Sequence, residues 1–186
     1  MNKTAETELH RLFLIEGLPE PLTPASSHLQ IFDGYIANTR LRLRQVRDPY
    51  SSTWTRMLQS RHVGIHDSDL AETKLAEIHL DDAEFNIFEP LAGKEIRKNR
   101  YFHEVDRVSF AFDMYLGPLW GLYTARVDFQ GRGEMGRFIP PPFAVYEVTN
   151  DSFFDGSNLV NLQFADIQGE VAKLATDAGP CGIADE

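Results

Sequence analysis

Residues 39–45 read Thr-Arg-Leu-Arg-Leu-Arg-Gln, a stretch in which arginine and leucine alternate. Successive side chains of a β-strand point to opposite faces, so the three arginines share one face and the two leucines share the other. The arginines are Arg40, Arg42 and Arg44. Because burying an unpaired charge carries a large desolvation penalty, these arginines must face water, carboxylates or a bound anion.

A second cationic strand is predicted over residues 96–102, where Lys98 and Arg100 share a face. A closed barrel would bring the two cationic rows together in one cavity. Converging guanidinium and ammonium groups bind phosphate oxygens through charge-assisted hydrogen bonds, so this arrangement predicts a polyphosphate site. The alternative is a solvated sheet face on which the arginines form ion pairs with neighbouring strands.

The length and composition of the chain indicate one globular domain over residues 1–186, and we predict a flexible tail at 176–186. The net charge of −10 disfavours nucleic acid and anionic membranes as partners. Cys181 is the one cysteine, so neither a disulfide framework nor a cysteine-based zinc site is available. With no signal-type apolar run and no stretch that could span a bilayer, we expect a cytoplasmic protein.

The remaining periodicity predicts an α+β fold that is predominantly antiparallel β. Residues 108–115 and 122–129 alternate as two long strands, which we predict to form a hairpin. Helical spacing of apolar residues predicts helices over 81–92 and over roughly 158–176.

Several short motifs, in their order along the chain, resemble the CYTH (triphosphate tunnel) superfamily over roughly residues 6 to 175. The motifs are residues 8–14, Gly34-Tyr35-Ile36, the Arg40/Arg42 strand, residues 96–101, Asp113 with residues 117–122, residues 125–129 and residues 148–151. The resemblance implies an eight-stranded tunnel barrel with flanking helices, in which cations bind a triphosphate and carboxylates hold Mg²⁺ or Mn²⁺. The superfamily includes inorganic triphosphatases, thiamine triphosphatases and class IV adenylate cyclases.

The cationic pattern and the resemblance together give a set of candidate site residues. The candidate phosphate-binding residues are Tyr35, Arg40, Arg42, Arg44, Arg56, Lys98, Arg100 and Arg126. The candidate metal ligands are Glu8, Glu77 and Asp128, and the candidate catalytic residues are Glu8, His10 and Asp128.

The chain departs from the superfamily pattern at its opening E-x-E-x-K motif, where Glu8, His10 and Leu12 occupy the three motif positions. A register shifted by two residues would align Glu6, Glu8 and His10 instead, and the lysine is absent in both registers. Late in the barrel, Arg126 stands where an acid is usual, and a cation there opposes binding of a divalent metal. The superfamily pattern also has a lysine on the strand around Thr55-Arg56-Met57, and this lysine is missing here. Arg56 could replace it only if the strand is shifted in register.

We therefore expect a protein that binds a triphosphate-bearing small molecule and hydrolyses it if a divalent metal is held. If the protein is an enzyme, we expect a metal-dependent triphosphatase, which hydrolyses a phosphoric anhydride, rather than an adenylate cyclase. The first rival is a catalytically inactive module that binds a nucleotide or phosphorylated metabolite. The second rival is an interaction domain whose arginines are neutralised by protein carboxylates. A homodimer is a further expectation for this protein.

Overall fold

The structure is a computed structural model that describes residues 6–63 and 71–177. Within these residues nine β-strands are formed. They are β1 (Glu6–Ile15), β2 (Leu29–Ile36), β3 (Leu41–Asp48), β4 (Thr53–Val63), β5 (Glu72–Leu80), β6 (Ala92–Val105), β7 (Val108–Tyr115), β8 (Tyr123–Phe129) and β9 (Tyr146–Glu147).

Eight of these strands close into an antiparallel barrel in the order β5-β4-β3-β2-β6-β7-β8-β1. Pairing of β1 with β5, with Glu8 opposite Thr73, joins the two ends of the sheet. The two-residue strand β9 adds to β1 outside this ring. The predicted eight-stranded barrel is confirmed. The predicted hairpin is also present, since β7 pairs with β8.

Apolar side chains pack on both the outside and one end of the barrel. The outward faces of β1, β7 and β8 form an aromatic cluster around Phe13, Phe110 and Phe112, which residues Phe138 and Phe143 cover. A second cluster closes one end of the barrel. It contains Leu14, Ile96, Tyr115, Leu119, Leu122, Val148, Phe154, Leu159 and Ile167. The interior beyond this second cluster is therefore left to polar side chains.

Four short helices flank the barrel in the described residues: α1 (Asp82–Phe88), α2 (Arg132–Arg137), α3 (Gly156–Leu159) and α4 (Phe164–Asp177). The helix predicted over 81–92 corresponds to α1 followed by a 3-10 turn at Glu89–Leu91, and a capping box formed by Asp81 and Glu84 starts it.

The single helix predicted over 158–176 is wrong in its continuity, because the chain turns between α3 and α4. The side chain of Asp155 accepts a hydrogen bond from the Ser157 amide and so caps α3. The amide of Gln163 donates to Asp166 at 2.8 Å, which starts a new helix. α4 continues to Asp177, so the tail predicted from 176 is helical at its first two residues. The rest of that prediction, 178–186 with Cys181, lies outside the described residues.

None of the helices in residues 6–63 and 71–177 combines the length and the hydropathy that crossing a membrane requires.

Candidate functional site

The barrel encloses a cavity of about 220 Å³ that all eight barrel strands line. Strand alternation places these side chains, since every second residue of each strand points inward. The segment from Val148 to Gly156 crosses the end of the barrel and contributes further lining residues. The charged residues of the cavity fall into two groups on opposite parts of the wall.

The first group, which we call the cationic wall, lies on the adjacent strands β3, β2, β6 and β7. It consists of Asp33, Arg42, Arg44, Lys98, Arg100 and Asp113. The Asp33 carboxylate accepts two hydrogen bonds of 2.6 Å from Arg44, its direct cross-strand partner, and lies 3.6 Å from Arg42. Arg42 in turn donates to Gln59 at 2.7 Å. The guanidinium groups are therefore held in fixed orientations.

Asp113 holds the other two cations of the cationic wall in the same way. Its carboxylate accepts one hydrogen bond of 2.6 Å from Lys98 and two of 2.7 Å from Arg100. Arg100 and Asp113 are direct cross-strand partners on β6 and β7. Two carboxylates thus orient four cations, which leaves the cationic wall with a formal excess of two positive charges.

Protonation in the cationic wall follows from burial and from these ion pairs. Burial alone would raise the pKa of Asp33, but Arg42 and Arg44 outweigh it and hold the pKa well below its usual range. Burial also opposes the charge of Asp113, yet Arg100 and Lys98 lower its pKa in the same manner. For Lys98 burial prevails and lowers the pKa to about 8. At neutral pH the two carboxylates and the four cations are charged.

The second group, which we call the acidic wall, comes from β8, β1 and β4 and from the segment after β9. It consists of Glu8, Arg61, Arg126, Asp128, Asp151 and Asp155. Here four carboxylates face two cations, a formal excess of two negative charges. Arg61 pairs with Asp155, and Arg126 lies between the two remaining strand carboxylates.

Arg126 bridges Glu8 and Asp128 across the junction of β8 and β1. Its Nη2 lies 3.0 Å from Glu8 Oε2 and 2.6 Å from Asp128 Oδ1, and its Nε donates to Asp128 Oδ1 at 2.9 Å. Both carboxylates are therefore paired with one guanidinium group of the protein, which leaves a formal charge of −1 on the three side chains.

His10 and Tyr35 are two of the uncharged polar residues that line the cavity. His10 is buried, and its Nδ1 has no hydrogen-bond partner within the described part of the chain. Burial, reinforced by Arg126 and Arg61, lowers the pKa of His10 to about 3, so its imidazole is neutral at physiological pH. The hydroxyl of Tyr35 packs against Gly156, where a Cβ atom would overlap it.

The superfamily resemblance implies a divalent metal, and the donor set does not fit one in this arrangement. Mg²⁺ and Mn²⁺ require several oxygen ligands, and Arg126 already occupies the space between Glu8 and Asp128. Glu77 accepts a hydrogen bond from Gln59 at 3.1 Å and does not line the cavity. Among residues 6–63 and 71–177, no group of three or more Asp, Glu, His or Cys residues is placed to hold a metal ion.

Comparison with known proteins agrees with this fold. No family model matches the chain. The inorganic triphosphatase of Nitrosomonas europaea is 29% identical over 159 residues, which is 82% of this chain and 96% of that protein. A crystal structure of an inorganic triphosphatase matches with a TM-score of 0.55 and 25% identity, covering 82% of this chain and 93% of the other. Over most of its length the chain is therefore similar to an inorganic triphosphatase, in sequence and in fold.

A second crystal structure of that same protein has the same fold as this chain, with a TM-score of 0.57. It is 24% identical and covers 84% of this chain and 99% of that chain. The closed barrel of this chain therefore has the fold that both crystal structures of that protein show.

Most of the predicted site residues of this chain lie together in the cavity. They are Glu8, His10, Tyr35, Arg42, Arg44, Lys98, Arg100, Arg126 and Asp128. Leu12 also faces the cavity, so the register that aligns Glu8, His10 and Leu12 with the CYTH motif agrees with the lining. Their roles in binding or catalysis stay predictions.

Three predicted residues do not line this cavity. Arg40 precedes β3 and is exposed, lining an adjoining cavity of about 230 Å³. Arg56 points outward because Met57 and Gln59 take the inward positions of β4, and it pairs with Asp82 beside Phe85 of α1. The shifted register that would have made Arg56 a phosphate ligand is absent. Glu77 accepts a hydrogen bond from Gln59 and does not line the cavity that Glu8 and Asp128 line.

Prediction from sequence missed the carboxylates that organise the cationic wall and the ion pair formed by Arg61 and Asp155. Asp33 and Asp113 each stand at an inward position of a largely apolar strand. A lone acid in such a strand must have a cationic partner, because a buried carboxylate is costly when unpaired. That signal was available in the sequence, although the identity of the partner was not.

Proposed function

We propose that this protein binds a triphosphate-bearing small molecule in the barrel cavity, with inorganic triphosphate as the first candidate. The observation that carries the proposal is the cationic wall, where four oriented cations share two carboxylates. Convergent donors of this kind match the oxygens of a polyphosphate. The relative from Nitrosomonas europaea is named an inorganic triphosphatase, which supports the same ligand.

The size of the cavity favours a compact ligand. At about 220 Å³ it falls below the roughly 300–1,000 Å³ typical of pockets that hold drug-sized molecules. A nucleotide or thiamine triphosphate would need to extend into the adjoining cavity, which shares Tyr35, Arg42, Arg61 and Asp155 with the first. Inorganic triphosphate has no further group to place, so it would need only the first cavity, beside the cationic wall.

Hydrolysis is the activity that the name of the relative suggests for the bound triphosphate. The cationic wall would stabilise the negative charge that develops when a phosphoanhydride bond breaks. A divalent metal, if bound, would activate the attacking water. His10 is a weak candidate for general base because its pKa of about 3 leaves little affinity for a proton.

A second candidate function is binding without catalysis, and the position of Arg126 favours it. The guanidinium group bridges the two carboxylates that were predicted to hold the metal. A tunnel that retains its cations while an arginine occupies its candidate metal ligands would sense or store a phosphorylated metabolite.

Titration calorimetry with inorganic triphosphate, ATP and thiamine triphosphate tests the proposal, and release of phosphate measured in parallel separates hydrolysis from binding. We expect Arg42→Ala to weaken binding by about 10- to 100-fold, the effect of losing one charge-assisted contact. Arg56→Ala is the matched control, since it removes the same side chain from the outer face. If none of the three compounds binds the wild-type protein, the proposal fails and the interaction-domain alternative gains support.

A further inference from the structure

Arg126 occupies the junction of β8 and β1 where the superfamily resemblance implies a metal. The register of the two strands sets Leu12 opposite Arg126 and His10 opposite Asp128, so the guanidinium group lies directly between Glu8 and Asp128. The side chain is about one-fifth exposed, and both contacts are hydrogen-bonded ion pairs. The space between Glu8 and Asp128 is therefore occupied by a cation that is covalently part of the protein and cannot be released as a metal ion can.

The electrostatics of the cavity explain why a cation is needed there. A polyphosphate held by the cationic wall faces the acidic wall across the cavity, and Glu8 and Asp128 would repel it. A cation between these carboxylates and the phosphates removes that repulsion. A guanidinium group carries five N–H donors, so Arg126 can contact carboxylates on one side and a phosphate on the other.

The surroundings of Arg126 also disfavour binding of a metal ion next to it. Leu12, the cross-strand partner of Arg126, lines the cavity and offers no ligand atom. A divalent ion bound at Glu8 and Asp128 would have to displace Arg126 and then lie close to its positive charge.

We propose that Arg126 performs the charge-bridging role expected of the divalent cation, so that the tunnel binds triphosphate without a metal. This inference rests on the proposed function, because it concerns how the same ligand is held. Arg126 is then a ligand-binding residue that takes the role which the superfamily resemblance gives to a metal ion.

The experiment has two readouts, binding of tripolyphosphate and binding of Mn²⁺. Calorimetry with metal-stripped wild-type protein in EDTA measures the first. Electron paramagnetic resonance of free Mn²⁺, with no tripolyphosphate present, measures the second without competition from chelation. We expect the wild type to bind tripolyphosphate in EDTA with an affinity that added Mg²⁺ does not increase, and to bind no Mn²⁺ at this position.

Arg126→Gln should reverse both results. Freed Glu8 and Asp128 should take up Mn²⁺, and metal-free binding of tripolyphosphate should weaken by about 10- to 100-fold, because one charge-assisted contact is lost. Arg56→Gln makes the same change on the outer face and should alter neither readout. Arg126→Lys keeps the charge and should still exclude Mn²⁺, which provides a second variant if Arg126→Gln does not fold.

The outcomes separate this inference from the proposed function. Binding of tripolyphosphate by the wild type only when Mn²⁺ or Mg²⁺ is present would overturn the inference and leave the proposed function standing. A folded Arg126→Gln protein that takes up no Mn²⁺ and binds tripolyphosphate in EDTA as tightly as the wild type would also overturn it. Failure of the wild type to bind tripolyphosphate under either condition would remove both.

Discussion

Replacement of Asp33 by asparagine should destabilise the protein and at the same time strengthen its response to triphosphate. Asp33 is 2% exposed and is the carboxylate that holds Arg44 through two hydrogen bonds of 2.6 Å and lies near Arg42. Asparagine keeps the size of the side chain but removes its charge. The two guanidinium groups would then face each other with no carboxylate between them.

The expected loss can be estimated from the burial of the ion pair. Removing one partner of a buried salt bridge costs about 3–5 kcal/mol, because the other charge is left uncompensated. For a chain of 150–250 residues each kcal/mol shifts the melting temperature by about 2–4 °C, so the Tm of Asp33→Asn should fall by roughly 6–20 °C. The formal excess of the cationic wall rises by one charge in the variant, so tripolyphosphate should raise its Tm more than that of the wild type.

Thermal unfolding followed by circular dichroism, with and without tripolyphosphate, measures both effects. Asp82→Asn is the matched control, because Asp82 also pairs with an arginine but its side chain is 84% exposed. An exposed pair contributes at most about 1 kcal/mol, so the control should lose only a few degrees. Equal Tm values for the two variants, or a ligand response no larger than that of the wild type, would refute this account of Asp33.

Two further predictions concern pH. Burial lowers the pKa of Lys98 to about 8, so Lys98 loses its charge between pH 7 and pH 9. Over this range tripolyphosphate binding by the wild type should weaken by about tenfold relative to Lys98→Arg, whose cation stays protonated. Calorimetry at both pH values measures this, because titration of the ligand affects both proteins alike, and coinciding pH profiles would contradict it. The pKa of His10 is about 3 in the native state and about 6.5 in the unfolded chain. Because only the unfolded state takes up a proton at His10 between pH 7 and pH 5, the free energy of unfolding should fall by about 2 kcal/mol over this range. Urea unfolding of His10→Gln should lack this part of the pH dependence, and an unchanged slope in that variant would count against a neutral buried imidazole.

Much of the barrel could be predicted from local pattern. The alternation at residues 39–45 and 96–102, in a closed barrel, predicted that Arg40, Arg42, Arg44, Lys98 and Arg100 share a cavity, and all of these except Arg40 line it. This prediction succeeds because the direction of a side chain in a strand depends only on the parity of its position. Helical spacing was a weaker guide, since the turn between α3 and α4 depends on the hydrogen bond from the Gln163 amide to Asp166 and on packing at the end of the barrel.

The sequence alone therefore predicted four of the strands from their alternation and the shared face of Lys98 and Arg100. The eight-stranded barrel followed from the resemblance to the tunnel proteins. The tertiary structure alone decided that Asp33 and Asp113 orient those cations, that Arg56 lies outside, and that Arg126 bridges Glu8 and Asp128. The physical reason is that parity is a property of a single strand, whereas the partner of a charge depends on register and closure between strands distant in sequence. Whether a carboxylate meets a guanidinium group or a metal ion is fixed only when those strands pair.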